Sequence, residues 1–376
     1  MSSKKYKLLY FVSEDEYFIS HKIEQVQHAI KKNIDVLVVT KFKKKEKQIL
    51  NAGFKTKHLD FDRKSLNPVK EFLCILKLAV IIFKYKPNII QANALKPILY
   101  ISLISYFLSK KIKIILCVVG LGYLFIEKNK KKNLIKNIYL LLMKFTLRKK
   151  NSIFVFQNND DKKIFMNKNL LRNVSFKIIK GSGVNVNKFC SKKVKKIYDI
   201  IFHSRLLYDK GFNEIVEALE ILRKKKIYPK TLILGDPDKS NRSSVDESII
   251  ISMARKKKFH WINKVGNVIP YLQKSKISIL PSYREGLPKS LLEAASCKLP
   301  LVATDVPGCR EICKNNFNGI LIPKKNSKSL SKGIEKLLKN ESLMLKYGEN
   351  GRKLVKENFS LKVISDLFMK IYLDNN

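Results

Sequence analysis

The chain has 376 residues, a hydrophobic fraction of 45% and a formal net charge of +45, from 76 Lys and Arg against 31 Asp and Glu. It is long enough for two domains with a core each and too apolar for a disordered chain. A charge of this size draws nucleic acid, acidic lipid headgroups and phosphorylated substrates alike, so it does not choose among them. Lys far outnumbers Arg, and the basic residues run through both halves of the chain, as a general bias toward Lys would leave them. Against that background a retained Arg such as Arg205 or Arg284 is more informative than any single Lys.

Short β-branched runs alternate with longer amphipathic ones. Lys4, Lys5 and Lys7 precede only a stub of apolar sequence, Leu8 to Val12, which Glu14, Asp15 and Glu16 end; this reads as a first strand rather than a signal peptide. Further strands are predicted over Val36–Thr40, Asn88–Ala92, Ile112–Val119 and Ile153–Gln157, and helices over His21–Lys32, Pro68–Lys84, Ile98–Leu108 and Leu134–Arg148. The most apolar run, Ile98 to Ser109, closes on Lys110-Lys111 and is too short to cross a bilayer. The protein is therefore expected to be cytoplasmic. After a basic stretch from Gly181 to Lys196 the alternation restarts: strand Ile197–Phe202, helix Phe212–Lys225, strands Thr231–Leu234 and Ile277–Leu280, helix Ser290–Cys297 and strand Pro300–Ala303. Two such βα series imply two doubly wound parallel sheets. The expected domains are residues 1–185 and 186–357, with a last helix, Leu361–Tyr372 within about 358–376, packing back on the first.

Six cysteines are scattered without a CxxC pair, and although Cys309 and Cys313 share a helix face, no nearby His or third Cys completes a zinc set. Reduced thiols are expected.

Most of the chemical information lies in Pro281-Ser282-Tyr283-Arg284-Glu285-Gly286-Leu287-Pro288-Lys289-Ser290-Leu291-Leu292-Glu293-Ala294. A strand ends here at its carboxyl edge, where open α/β sheets bind ligands. Gly286 is expected to allow a tight turn and Pro288 to sit in the first helical turn, where its missing N–H costs nothing. The helix N-terminus then offers free N–H groups and partial positive charge to a diphosphate. Glu285 and Glu293 lie too far apart along the chain for the ~5 Å pair of a retaining glycosidase, though less clearly so for an inverting one. They suit gripping two parts of one extended ligand; two solvated helix charges are the plainer alternative. In a second segment, His203-Ser204-Arg205-Leu206-Leu207-Tyr208-Asp209-Lys210-Gly211, Arg205 offers a bidentate fork and Lys210 a point charge, both suited to a diphosphate. His203 reads as a strand-end residue.

Taken together, Arg205…Lys210-Gly211, Gly266, Glu285-x7-Glu293, Thr304-Asp305-x-Pro307-Gly308 and Asn318-Gly319 resemble the family-4 retaining glycosyltransferases of the GT-B fold. The N-terminal half adds His21 in Phe18-Ile19-Ser20-His21, Phe61-Asp62-Arg63-Lys64-Ser65-Leu66-Asn67-Pro68, and Gly120-Leu121-Gly122-Tyr123. The likeness covers nearly the whole chain and points toward bacterial enzymes that build glycans on polyprenyl-diphosphate carriers. It implies an α/β fold of two Rossmann-like doubly wound domains facing a cleft. Arg205 and Lys210 would hold the donor diphosphate, Glu285 the transferred sugar and Glu293 the ribose. The turn Gly286-Leu287-Pro288 would bring backbone N–H groups, those of its non-proline residues, to the sugar and phosphates, and Gly266 belongs to the same donor set. His21, Gly120, Gly122 and Tyr123 would line the acceptor side. Many relatives carry a His just before the glycine of the fifth-strand loop; Val119 stands there in this chain.

The implied reaction transfers a hexosyl or N-acetylhexosaminyl group from a nucleotide sugar to a hydroxyl of a lipid-linked saccharide, with retention. No side chain is an evident nucleophile, no Asp-x-Asp motif is present to hold a metal, and neither metal nor cofactor is expected. Two alternatives are a sugar-nucleotide 2-epimerase of the same fold, which would need no acceptor, and a nucleic-acid-binding protein. The second would explain the charge but lacks any recognised motif. The segment Lys128–Lys150 carries Lys128, Lys130, Lys131, Lys132, Lys136, Lys144, Arg148, Lys149 and Lys150 around Leu134, Ile135, Ile138, Leu141, Leu142 and Phe145. A basic amphipathic helix of that content suits the anionic inner face of the cytoplasmic membrane.

Overall fold

The computed structural model describes residues 6–62, 65, 67–121, 130–146, 151–171, 174–239 and 241–374. They form two compact units, one comprising Met1–Ser182 with Ile364–Asn376 and the other Gly183–Val363.

In the first unit the order is β1 (Lys7–Glu14), α1 (Asp15–Tyr17), a π-helical turn (Phe18–Lys22), α2 (Ile23–Lys31), β2 (Asp35–Lys41), α3 (Glu46–Asn51), β3 (Lys55–His58), α4 (Pro68–Tyr85), β4 (Ile89–Asn93), α5 (Leu95–Ile104), β5 (Lys113–Val118), α6 (Lys130–Thr146), β6 (Ser152–Phe156), α7 (Asn159–Asn167) and β7 (Ser175–Ile178). The seven strands are parallel, in the order β3-β2-β1-β4-β5-β6-β7. Helices cover both faces, so β1 reads as one apolar run, Leu8 to Val12, instead of alternating. Leu9, Phe11 and Ile90 pack against Leu78 of α4, Ile101 of α5 and Met143 of α6; Leu8 and Tyr10 pack on the other face with Val26 of α2. Pro68 opens α4, the Asn67 side chain caps the N–H groups of Val69 and Lys70, and Lys86 closes the helix at φ +54°.

The second unit follows with β8 (Tyr198–His203), α8 (Phe212–Lys224), β9 (Thr231–Leu234), α9 (Glu247–Arg255), β10 (His260–Ile262), α10 (Ile269–Gln273), β11 (Ser275–Leu280), α11 (Lys289–Ser296), β12 (Leu301–Thr304), α12 (Cys309–Ile312), β13 (Gly319–Ile322), α13 (Ser327–Leu338) and α14 (Glu341–Asn358). Its six parallel strands run β10-β9-β8-β11-β12-β13. The last helix, α15 (Leu361–Leu373), places Ile364, Phe368, Ile371 and Tyr372 in the β1 core of the first unit.

Several elements differ from the sequence reading. The helix expected from His21 is a π-helical turn followed by α2, and the one expected from Ile98 starts at Leu95 and ends at Ile104, before a 3-10 turn over Ser105–Phe107. Strands β3, β7, β10 and β13 were not anticipated. Each is an edge strand of three or four residues, so it lacks the buried apolar run that marks a central strand. Helix α6 is described over Lys130–Thr146, and its core-facing residues include Tyr139, Leu140 and Met143, whereas Ile138, Leu141 and Leu142 are exposed. Lys128, Arg148, Lys149 and Lys150 lie outside the described residues.

A buried polar network joins α15 to the sheet. Tyr372 donates to Gln91 Oε1 at 2.6 Å, Gln91 Nε2 to Asn93 Oδ1 at 3.1 Å and to Cys117 Sγ at 3.2 Å, and Asn93 Nδ2 to the Phe11 carbonyl at 3.2 Å. Lys22 is fully buried near this network, with its ammonium 3.4 Å from Gln25 Oε1 and 5.8 Å from the Phe368 ring centroid. Burial lowers its pKa to about 8. Between about pH 8 and the ordinary lysine range the unfolded chain then binds the proton that the folded chain has lost, so this group's contribution to stability rises with pH across that window. Lys22→Met is expected to be more stable than the parent at pH 7, with an advantage that shrinks as pH rises from 8. Urea unfolding of both proteins across the window measures the difference and cancels other titrations; a constant advantage would show that Lys22 does not titrate there.

Candidate functional site

The second sheet begins with β8 and grows outward in both directions, through β9 and β10 on one side and through β11, β12 and β13 on the other. β8 and β11 are parallel neighbours at which the order of strand addition switches from one side of the sheet to the other, and their following segments diverge to open a crevice at the carboxyl ends. The segment after β8 supplies Arg205 and Lys210, and the segment after β11 supplies Glu285 and, from α11, Glu293. The two sequence motifs thus flank one switch point.

Direct contacts hold the two segments together. Lys210 forms an ion pair with Glu285, both side chains being largely buried. The Asp209 carbonyl accepts from the Tyr283 N–H at 2.8 Å and from Ser282 Oγ at 3.2 Å. The Thr304 hydroxyl donates to the Ser282 carbonyl, which adds β12 to the same framework. Tyr283 donates to Glu214 Oε1 at 2.8 Å; burial, followed by that carboxylate, raises its pKa well above the usual phenol value, so the phenol keeps its proton. Lys210 closes a 3-10 turn, after which Gly211 adopts φ +82°. A Cβ at Gly211 would run into the Pro281 carbonyl oxygen, so glycine is needed both for the backbone angle and for the close approach of the two loops. Gly308, at φ +79°, brings the turn after β12 equally close to the Glu285 and Gly286 carbonyls.

Glu293 sits on the first turns of α11, with Lys289 Nζ at 3.6 Å and His203 Nε2 at 3.4 Å; the His203 and Glu293 side chains are only 5% and 12% exposed. His203, read from sequence as a strand-end residue, therefore lies against one of the two site carboxylates. Arg205 is more exposed and donates through Nη1 to Asp238 Oδ2 at 2.7 Å.

Two local features refine the sequence reading. Gly286 lies in the bend before α11 without a positive φ, and the left-handed angles at the site belong to Gly211 and Gly308. Pro288 is the cap preceding α11, at φ −72° and ψ 115°, and Lys289 begins the helix. This extended conformation keeps the Pro ring outside the helix and leaves the first helical N–H groups to Lys289 and Ser290. Leu287 packs partly buried against the core. Gly266 lies in the loop after β10, at the same sheet edge, with open space where a Cβ would stand.

In the first unit His21 lies in the π-helical turn, its ring stacked on Tyr17 at 4.6 Å and its Nδ1 2.7 Å from Ser20 Oγ. Gly120 follows β5 at φ +121°. Gly122 and Tyr123 lie outside the described residues. Cys309 and Cys313 are free, buried thiols, and no group of three His, Cys, Asp or Glu that could hold a metal forms among the described residues. A cavity of about 530 Å³ lined by Tyr198, Tyr228, Lys230 and His260 opens at the amino-terminal edge of the second sheet, away from all of these residues. Cavity volume does not locate the motif site in this unit. The contacts do.

Asp238 and Glu214 were missed as site residues because neither stands in a short motif, and His203, although it opens the second segment, was read only as a strand-end residue. Only the sheet brings them to the switch point. The four-residue spacing of Lys289 and Glu293 is a sequence signal that could have pointed to their pair.

Residues 185–354 match the family described as glycosyl transferases group 1, and residues 7–158 match the family described as glycosyl transferase 4-like. A relative from Campylobacter jejuni, N,N'-diacetylbacillosaminyl-diphospho-undecaprenol alpha-1,3-N-acetylgalactosaminyltransferase, is 27% identical over 94% of this chain and 97% of its own. The Escherichia coli UDP-Gal:alpha-D-GlcNAc-diphosphoundecaprenol alpha-1,3-galactosyltransferase is 22% identical over 83% of this chain and 81% of its own. Among solved structures, Anabaena HepE in complex with UDP and glucose superposes with a TM-score of 0.80 at 14% identity, covering 98% of this chain and all of that one (100%).

The framework around Gly211 yields one stability prediction. Gly211→Ala should destabilise the protein by about 2 kcal/mol or more, since it combines an unfavourable backbone angle with overpacking against Pro281. Gly266→Ala should be near neutral. Urea or thermal unfolding of the two variants measures the contrast.

Proposed function

The chain belongs to the glycosyltransferases described by those two families and has their GT-B fold of two Rossmann-like units, and from that premise we propose its reaction. It moves a hexosyl or N-acetylhexosaminyl group from a UDP-sugar, or another nucleoside diphosphate sugar, to a hydroxyl of a polyprenyl-diphosphate-linked saccharide, with retention at the anomeric carbon. The product belongs to surface-glycan assembly at the inner face of the cytoplasmic membrane. Support for the acceptor class comes from the names of the Campylobacter and Escherichia relatives, both of which specify undecaprenol-diphosphate-linked glycans.

The observation that carries this reading is the Lys210–Glu285 pair at the β8–β11 switch point, beside the start of α11. An ammonium has three N–H donors, so Lys210 can keep Glu285 and still donate to a phosphate oxygen. Arg205, Lys210 and the α11 N-terminus balance the charge that grows on the departing diphosphate, usually the largest catalytic contribution in such sites. They do so without a metal. Glu285 accepts from hydroxyls of the transferred sugar. Glu293, flanked by His203 and Lys289, accepts from the ribose hydroxyls. Gly286, Leu287 and Pro288 form the wall at the sugar and phosphates, with Gly266 nearer the nucleotide. His21, Gly120, Gly122 and Tyr123 serve the acceptor.

The bond from the anomeric carbon to the diphosphate oxygen breaks and the acceptor oxygen bonds to the same face of that carbon. The acceptor proton passes to the departing phosphate oxygen, so no side-chain nucleophile is required. Positioning of the acceptor beside the donor supplies much of the remaining rate.

With a donor identified by thermal shift among nucleotide sugars, Glu285→Gln and Arg205→Ala should each lower kcat at least about a hundredfold, equivalent to about 3–4 kcal/mol of lost transition-state stabilisation. Glu293→Gln should instead weaken donor binding with a smaller effect on kcat. Near-parental turnover in Glu285→Gln would remove this site assignment. EDTA should leave most activity intact, and complete loss restored by manganese would place the diphosphate on a metal.

A further inference from the structure

Helix α4 is apolar on two opposite faces. Cys74, Leu78 and Ile82 are buried on one side, while Val69, Phe72, Leu73, Leu76, Val80 and Phe83 are each between 46 and 67% exposed with the whole chain present. At 100° per residue these six fall within an arc of roughly 100°, along a helix about 27 Å long. Lys70, Lys77 and Lys84, seven residues apart and all exposed, form a row along one margin of that arc. Glu71 on the helix pairs with Lys96 at 2.7 Å, and Asp60 pairs with Lys41 at 2.6 Å. Exposed apolar residues continue on the same sheet face, with Tyr106 and Phe107 after α5 and Ile138 and Leu141 on α6.

We propose that the exposed face of α4 is the surface by which this protein enters an anionic lipid layer, the helix lying in the plane of the membrane with Phe72, Leu76 and Phe83 among the acyl chains and the lysine row at the headgroups. This moves the seat from the basic α6 segment to α4, and it rests on the proposed use of a lipid-linked acceptor. Isolated exposed apolar residues need no explanation, but six on one stripe of one helix mark a contact surface. A second copy of the chain is disfavoured as the occupant, because two molecules of net charge +45 repel, whereas an anionic surface is attracted to the lysine row. No helix among the described residues is long and apolar enough to cross a membrane, so the geometry is that of a helix lying on the bilayer.

Flotation of the full chain with vesicles of phosphatidylcholine, with and without phosphatidylglycerol, tests this. The parent protein should float only with the anionic vesicles, and Phe72→Gln/Leu76→Gln/Phe83→Gln should lower the bound fraction about tenfold, at low and at high salt. Lys70→Gln/Lys77→Gln/Lys84→Gln should lower it mainly at low salt. Unchanged circular dichroism and an unchanged nucleotide-sugar thermal shift show that each variant is folded with its donor site intact. The proposal is overturned if the parent does not float, or if the apolar triple variant floats as well as the parent. It is also overturned if that variant only converts a dimer to a monomer, since the face then binds another copy. Flotation by α4 without any nucleotide-sugar binding would leave this surface standing and remove the enzymatic reading instead.

Discussion

Ile277 lies beside Ile200 and Ser278 beside Ile201 in the central strand pair of the second unit, although these residues are far apart in the chain. That pairing is the constraint on which the site depends. Parallel strands cannot be joined by a tight turn, so each crossover carries the chain back over a face of the sheet, and all six carboxyl ends finish at one edge. Because β9 and β10 lie on one side of β8 and β11 to β13 on the other, only the β8 and β11 loops diverge at a crevice. The segments that carry Arg205 and Lys210 and those that carry Glu285 and Glu293 reach the same switch point for topological reasons, and Lys210 meets Glu285 there.

Close backbone contacts then convert that proximity into fixed geometry. The Asp209 carbonyl receives two hydrogen bonds from the β11 loop, and Gly211 and Gly308 let neighbouring loops approach to distances that a side chain would forbid. The result is a Lys210–Glu285 pair whose opposing charges are both mostly buried and mutually compensated. A lone charge in that position would be strongly penalised, whereas a paired ammonium retains donors for an anionic ligand. The same logic holds at Glu293, flanked by Lys289 on its own helix and His203 from β8.

The first unit spends its polar groups differently. Its internal network, from Tyr372 through Gln91 to Asn93 and Cys117, ties the last helix to the sheet, while a second apolar face of α4 stays outside. A helix apolar all round is usually enclosed in a core. One that keeps three lysines along its exposed margin is matched to an environment that is apolar in depth and anionic at its surface.

The amino-acid sequence by itself determined the two βα series, the strand–turn–helix setting of Glu285 and Glu293, and the basic pair Arg205 and Lys210, because these are local patterns of period, capping and spacing. It also determined that α4 is a helix, with Asn67, Pro68 and the run to Lys84 all legible in order. The short edge strands were not legible, since β3, β7, β10 and β13 carry too few buried residues to show a pattern. Tertiary structure alone decided that His203 faces Glu293, that Asp238 engages Arg205, and that Gly211 and Gly308, rather than Gly286, hold the left-handed angles. Tertiary structure also decided which apolar face of α4 is core: periodicity shows two apolar stripes on that helix, and only packing against the sheet assigns one to the interior and leaves the other exposed.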